Sequence, residues 1–78
     1  VFTEVPGASY EHNVIAGNVF GELFALLREA DCAVLGSEQK IYVDNTNGLY
    51  PDVAVVCGEP LVTPAEAVQN PVLIVEVL

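Results

Sequence analysis

Basic residues are nearly absent from this 78-residue chain: Arg28 and Lys40 are its two lysine-or-arginine positions, against eleven acids, for a formal net charge of -9. Proteins that grip nucleic acid draw most of their affinity from lysine and arginine at phosphates, so this surface taken alone should repel DNA and RNA. Histidine occurs once, at His12, and cysteine twice, at Cys32 and Cys57, with no CxxC spacing, which leaves no zinc signature. Both cysteines fall at or beside expected strands and read as buried free thiols, which favours a reducing compartment. No apolar run approaches the ~20 residues that span a bilayer, and there is no signal-like start, so a cytoplasmic protein without a membrane partner is expected.

What the chain does have is apolar mass. Hydrophobic residues make up 53%, which argues for a packed core and against intrinsic disorder. A chain this short still buries only about 60% of its unfolded surface and has room for one small domain. It opens on Val1 and stops at Leu78, within or just after an apolar strand, so residues 1–78 read as a single incomplete domain of a longer protein.

Two β-branched runs organise the sequence, Asp52 to Cys57 after Pro51, and Val72 to Val77 after Asn70-Pro71. Both read as strands largely buried on their two faces. Each carries one carboxylate, and an ionised carboxylate is costly to bury unless it is paired, hydrogen-bonded or metal-bound. Asp52 opens one run and Glu76 nearly closes the other. If the strands are antiparallel neighbours, both acids fall at the same end of the sheet, where they can share a hard divalent cation with water and phosphate completing its shell. The plain alternative is that Asp52 caps a turn and Glu76 points to solvent.

Ahead of these runs, residues 1–9 read as a loop with Pro6 and Gly7, and Ser9 stands as the N-cap of a helix from about Tyr10 to Ala30. Ile15, Val19, Phe20, Leu23, Phe24 and Leu27 recur at three- and four-residue steps. Gly17 and Gly21 lie on one side and suggest the close approach of another backbone or a ring. Glu11 and His12 occupy the first turn, where each has a structural explanation and where His12 lines the site if the helix start faces the carboxylate end of the sheet. Cys32 to Leu35 begins a strand region that bends at Gly36-Ser37 and continues through Glu38 to Val43. Glu38 and Lys40 share one face, either as a solvated salt link or directed into the pocket of Asp52. Asp44 to Gly48 signals a hairpin into the strand at Asp52, without the further acids of a calcium loop. Thr63-Pro64-Ala65-Glu66 has the capping-box pattern of a short helical turn reaching about Val68. The expected architecture is α+β: a long N-terminal helix followed by a three-strand, mostly antiparallel sheet, truncated at the C-terminus.

That order resembles the core of the PD-(D/E)xK restriction-endonuclease-like superfamily, and more narrowly the Uma-two family of endonuclease-like proteins common in bacteria. The resemblance rests on His12 to Leu27, Val34-Leu35-Gly36-Ser37-Glu38, Tyr50 to Cys57, and Asn70 to Leu78, in register over nearly the whole chain. It implies a magnesium- or manganese-dependent endonuclease acting on nucleic acid, with Asp52 and Glu76 as metal ligands and Glu38 and His12 as further catalytic candidates. The superfamily's simplest pattern puts a lysine two residues after the acid, where this chain has Leu78; Lys40 is a weaker substitute. These residues alone are therefore expected to be inactive. The competing expectation is a non-catalytic acidic module that uses the same fold for binding and assembly, with an unfinished sheet edge that recruits strands from other chains and so favours a homo-oligomer.

Overall fold

The computed structural model describes residues 8–44 and 47–78. Most of the loop expected over residues 1–9, and the tip of the Asp44–Gly48 turn, lie outside the described residues. The helix α1 spans Tyr10–Leu26, and Ser9 caps it: in extended backbone, its hydroxyl oxygen accepts from the His12 N–H at 3.0 Å. Residues 27–30 leave the helix as a turn, in which Leu27 N–H donates to Leu23 and Ala30 N–H to Leu27. The helix is thus four residues shorter than its apolar spacing suggests. Leu27 keeps its apolar step but already sits outside helical backbone, at φ -102° and ψ 10°, because the chain must turn there to start the first strand.

Three strands, β1 (Cys32–Leu35), β4 (Val53–Cys57) and β5 (Leu73–Val75), form one antiparallel sheet in the order β1-β4-β5. The short strands β2 (Ile41–Tyr42) and β3 (Gly48–Leu49) form a separate hairpin. The chain is therefore α+β, with one helix and a mostly antiparallel sheet among the described residues. The hairpin corrects an expectation: the stretch after Asp44 does not run into a β2–β4 pair, because β2 takes Gly48–Leu49 as its partner. Asp44 closes the turn, its carboxylate accepting from both the backbone and the side chain of Asn47. A Cβ at Gly48 would stand 2.5 Å from Lys40 Cε and 3.0 Å from the Tyr42 ring, so a larger residue there would make the lysine side chain shift.

The core sits on β4, the central strand. Val53, Ala54, Val55 and Val56 are all buried. On one face Ala54 and Val56 pack with Ile41 and Val68, flanked by Leu35 and Ile74. Alternation puts Val53 and Val55 on the other face, the side that α1 covers through its contacts with β1 and β4. Full burial of side chains of this size contributes about 1.5–3 kcal/mol each. The edge strand β5 departs from the expectation of burial on two faces: Leu73 and the preceding Val72 are exposed, while Ile74 and Val75 are half-buried. Along α1, Val19, Phe20, Leu23 and Leu27 are half-buried while Ile15 and Phe24 are exposed, and nothing lies within 4 Å of the Cβ positions of Gly17 or Gly21. Among the described residues, the close neighbour suggested for those glycines is not there.

Two further expectations are overturned. Cys32 and Cys57, directly opposed in the β1–β4 ladder, form a disulfide rather than two free thiols. The argument for a reducing compartment falls with them. Thr63 to Val68 forms a turn, not a helical segment: the Thr63 hydroxyl accepts from the N–H groups of Ala65 and Ala67, and Glu66 takes φ +67°, which stops helical propagation. Val68 is drawn instead into bridges with Ile41 and Val62.

Candidate functional site

The N-terminal end of β4 is where the acids meet the helix. Pro51 is buried and fixes the approach of the chain, and Asp52 immediately precedes the first ladder residue, Val53. The Asp52 side chain is 16% exposed and the His12 side chain 24% exposed. Their pairing depends on how the sequence starts the helix: Ser9 fixes the His12 backbone in the first turn, and the ring then reaches across, placing Nε2 2.7 Å from Asp52 Oδ1. The other carboxylate oxygen, Oδ2, accepts from the backbone N–H of Val77 at 2.8 Å. Three segments far apart in sequence converge on one carboxylate.

Those bonds set its charge. The Val77 N–H, then the His12 hydrogen bond, hold the Asp52 carboxyl below its ordinary 3.8, with a smaller contribution from His12 charge; partial burial pushes the other way and loses. Asp52 is thus an ionised acceptor at neutral pH, so His12 presents Nε2–H to it as donor. Each carboxylate oxygen has received one hydrogen bond and retains acceptor capacity.

Glu76 immediately follows β5 and is exposed. The last ladder pair is Val53↔Val75, so Asp52 and Glu76 flank the same end of the same antiparallel pair, as the strand reading expects. Glu38 is exposed in the turn that leaves β1 beside the start of β4, through the pair Leu35↔Ala54, and lines an open cavity of about 530 Å³ with Phe20, Val34 and Gln39. No ion pair joins it to Lys40 among the described residues, and the Lys40 ammonium stands 5.5 Å from the Tyr42 ring centroid, a cation–π contact on the hairpin.

Among the described residues no group of three or more histidine, cysteine or acidic side chains is arranged to hold a metal ion. The chemistry of the donor set nonetheless suits magnesium, which binds hard oxygens through as few as one or two carboxylates, with water and phosphate filling the remainder. Asp52 supplies an ionised, oriented carboxylate with remaining acceptor sites, and Glu76 an exposed one. The element that sequence reasoning missed is the Val77 N–H. A backbone donor leaves no mark in side-chain identity, and only the expected antiparallel pairing of the two strands hinted that it would lie nearby.

A protein-family model described as "Putative restriction endonuclease" matches residues 1–78. No curated protein and no solved structure matches the chain. No helix among the described residues is long and apolar enough to cross a membrane.

Proposed function

The chain belongs to the Uma2 family, and on that premise we propose that it carries the metal-binding half of a magnesium- or manganese-dependent endonuclease built on a restriction-endonuclease-like core. The observation that supports this best is the state of Asp52. A carboxylate held ionised by two donors, at the sheet end where Glu76 follows, is poised for a cation in a way that a turn cap is not. Asp52 and Glu76 are the two ligands in this reading. When bound, the cation polarises the scissile phosphate and lowers the pKa of an attacking water.

The remaining residues have narrower tasks. Asp52 and Glu76 place negative charge at one end of the sheet, and the Val77 N–H binds one oxygen of the Asp52 carboxylate. Glu38, exposed in the turn that leaves β1 at this same end of the sheet, is a further acid for the site in this reading. Nucleic acid is the substrate that the family description suggests, yet at -9 this surface attracts no phosphate without bound cations or a basic partner surface. With Leu78 at the position of the superfamily lysine and Lys40 engaged with Tyr42, the 78 residues alone bind metal but cleave nothing. The second reading, an acidic assembly module forming a homo-oligomer, draws on the exposed apolar edge at Val72 and Leu73.

Manganese titration of the 78-residue chain by calorimetry, beside Asp52→Asn and Glu76→Gln, tests the ligand pair. Metal-dependent cleavage of plasmid and single-stranded DNA by the protein in its native reading frame tests the activity. Binding and cleavage lost in both variants support the nuclease reading. A folded wild type that binds no cation and cleaves nothing removes it in favour of assembly.

A further inference from the structure

The metal reading leaves His12 without a task of its own. Of its two ring nitrogens, Nε2 is committed to Asp52 Oδ1 at 2.7 Å, so the contact that the structure shows is one made to the carboxylate. The backbone end of the residue is committed as well, since the Ser9 hydroxyl accepts its N–H at 3.0 Å. Ser9, His12, Asp52 and Val77 thus form a continuous run of hydrogen bonds from the helix cap to the second residue after β5, with Asp52 gripped at both oxygens. A carboxylate on one donor can rotate about its Cβ–Cγ bond. Two donors on different oxygens, from different elements, fix its plane.

We propose that His12 is a positioning residue that orients the Asp52 carboxylate through Nε2–H, with the Val77 N–H as its counterpart on the opposite oxygen. Hydrogen-bond partners that lie behind a metal ligand commonly change metal affinity or activity 10–100-fold when removed. The orientation exists before any metal binds, and only its effect on affinity rests on the metal-site reading above.

Two substitutions separate donor geometry from packing. In His12→Gln the amide nitrogen stands near the place of Nε2 and can still reach Asp52. In His12→Asn it stands near the place of Nδ1 and cannot. Both are polar, and both suit the first turn of a helix. In the metal-free 78-residue chain, the readout is hydrogen exchange at the Val77 amide; with manganese it is calorimetric affinity. His12→Asn should speed Val77 exchange about tenfold, the scale of one hydrogen bond, and weaken manganese 10–100-fold, while His12→Gln stays within about threefold of wild type in both. The assignment is overturned if His12→Asn matches wild type in Val77 exchange, if His12→Gln is as impaired as His12→Asn, or if His12→Asn loses its helical circular-dichroism signal, which would make His12 a determinant of the fold. A wild type that binds no manganese while the exchange difference appears sinks the metal reading and leaves the positioning role standing.

Discussion

Removing the Cys32–Cys57 disulfide is the perturbation with the largest stability change to expect. The two residues are 25 apart in sequence and opposed in the β1–β4 ladder, so the bond closes a loop that contains the turn after β1 and the whole β2–β3 hairpin. In the chain-entropy picture, a loop of that length costs the unfolded state about 12 cal/mol/K, or about 3.5 kcal/mol at 25 °C. A domain of this size has a total stability on the order of 4–12 kcal/mol, so the bond accounts for a large share of it. Urea unfolding with and without a phosphine reductant, followed by far-ultraviolet circular dichroism, measures the difference. With a denaturant slope of about 1 kcal/mol/M, the midpoint should fall by about 3.5 M on reduction. The double variant Cys32→Ser/Cys57→Ser should unfold near the reduced midpoint and ignore the reductant. Superimposable oxidised and reduced curves would refute the entropic reasoning. Two thiol equivalents released by unfolded, unreduced protein would refute the bond itself.

Three further outcomes follow from the packing. Gly17→Ala and Gly21→Ala, where nothing among the described residues stands within 4 Å, should each stabilise the chain by about 0.8–1 kcal/mol in thermal unfolding; destabilisation would reveal a surface that packs on that side of α1. Ile41→Ala, at a fully buried side chain in the cluster with Ala54, Val56 and Val68, should cost about 2–5 kcal/mol by urea denaturation, and a loss below 1 kcal/mol would mean that the hairpin is not part of the core. Because the folded-state pKa of Asp52 is depressed, its stabilising contribution is fully present above the unfolded-state pKa near 3.8 and is lost as pH falls through the folded value. Acid unfolding of wild type should therefore steepen below pH 3.8, and Asp52→Asn should lack that component; parallel acid profiles would contradict the assigned hydrogen bonds.

The elements governed by local chemistry were legible in the sequence. Ser9 announced the helix start through its side chain, and the β-branched runs at Val53–Cys57 and Leu73–Val75 announced two strands that do pair antiparallel. Their pairing was enough to place Asp52 and Glu76 at one sheet end. What escaped was decided by partners distant in sequence. The disulfide depends on a register that sets Cys32 against Cys57, and two isolated cysteines carry no trace of it. The capping-box pattern at Thr63 was genuine as a source of hydrogen bonds, but Val68 gained more from bridging to Ile41 than from ending a helix, and the backbone turned left-handed at Glu66. The site shows the same division. The acids could be named from their discomfort in apolar runs, whereas the Val77 donor and the reach of His12 exist only once the helix start and the sheet end have met.

The Val77 contact has a consequence for how variation at this position should be interpreted. Because the donor is main-chain, the bond to Asp52 is blind to the side chain: nineteen of the twenty genetically encoded residues retain the N–H, and proline alone lacks it. Among natural or engineered variants, position 77 should therefore tolerate exchange of side-chain size and polarity far better than exchange for proline, and a tally of residue types there would rate it unconstrained. The constraint is recorded as one forbidden residue, not one required residue, so a proline scan will find it where an alanine scan passes over it.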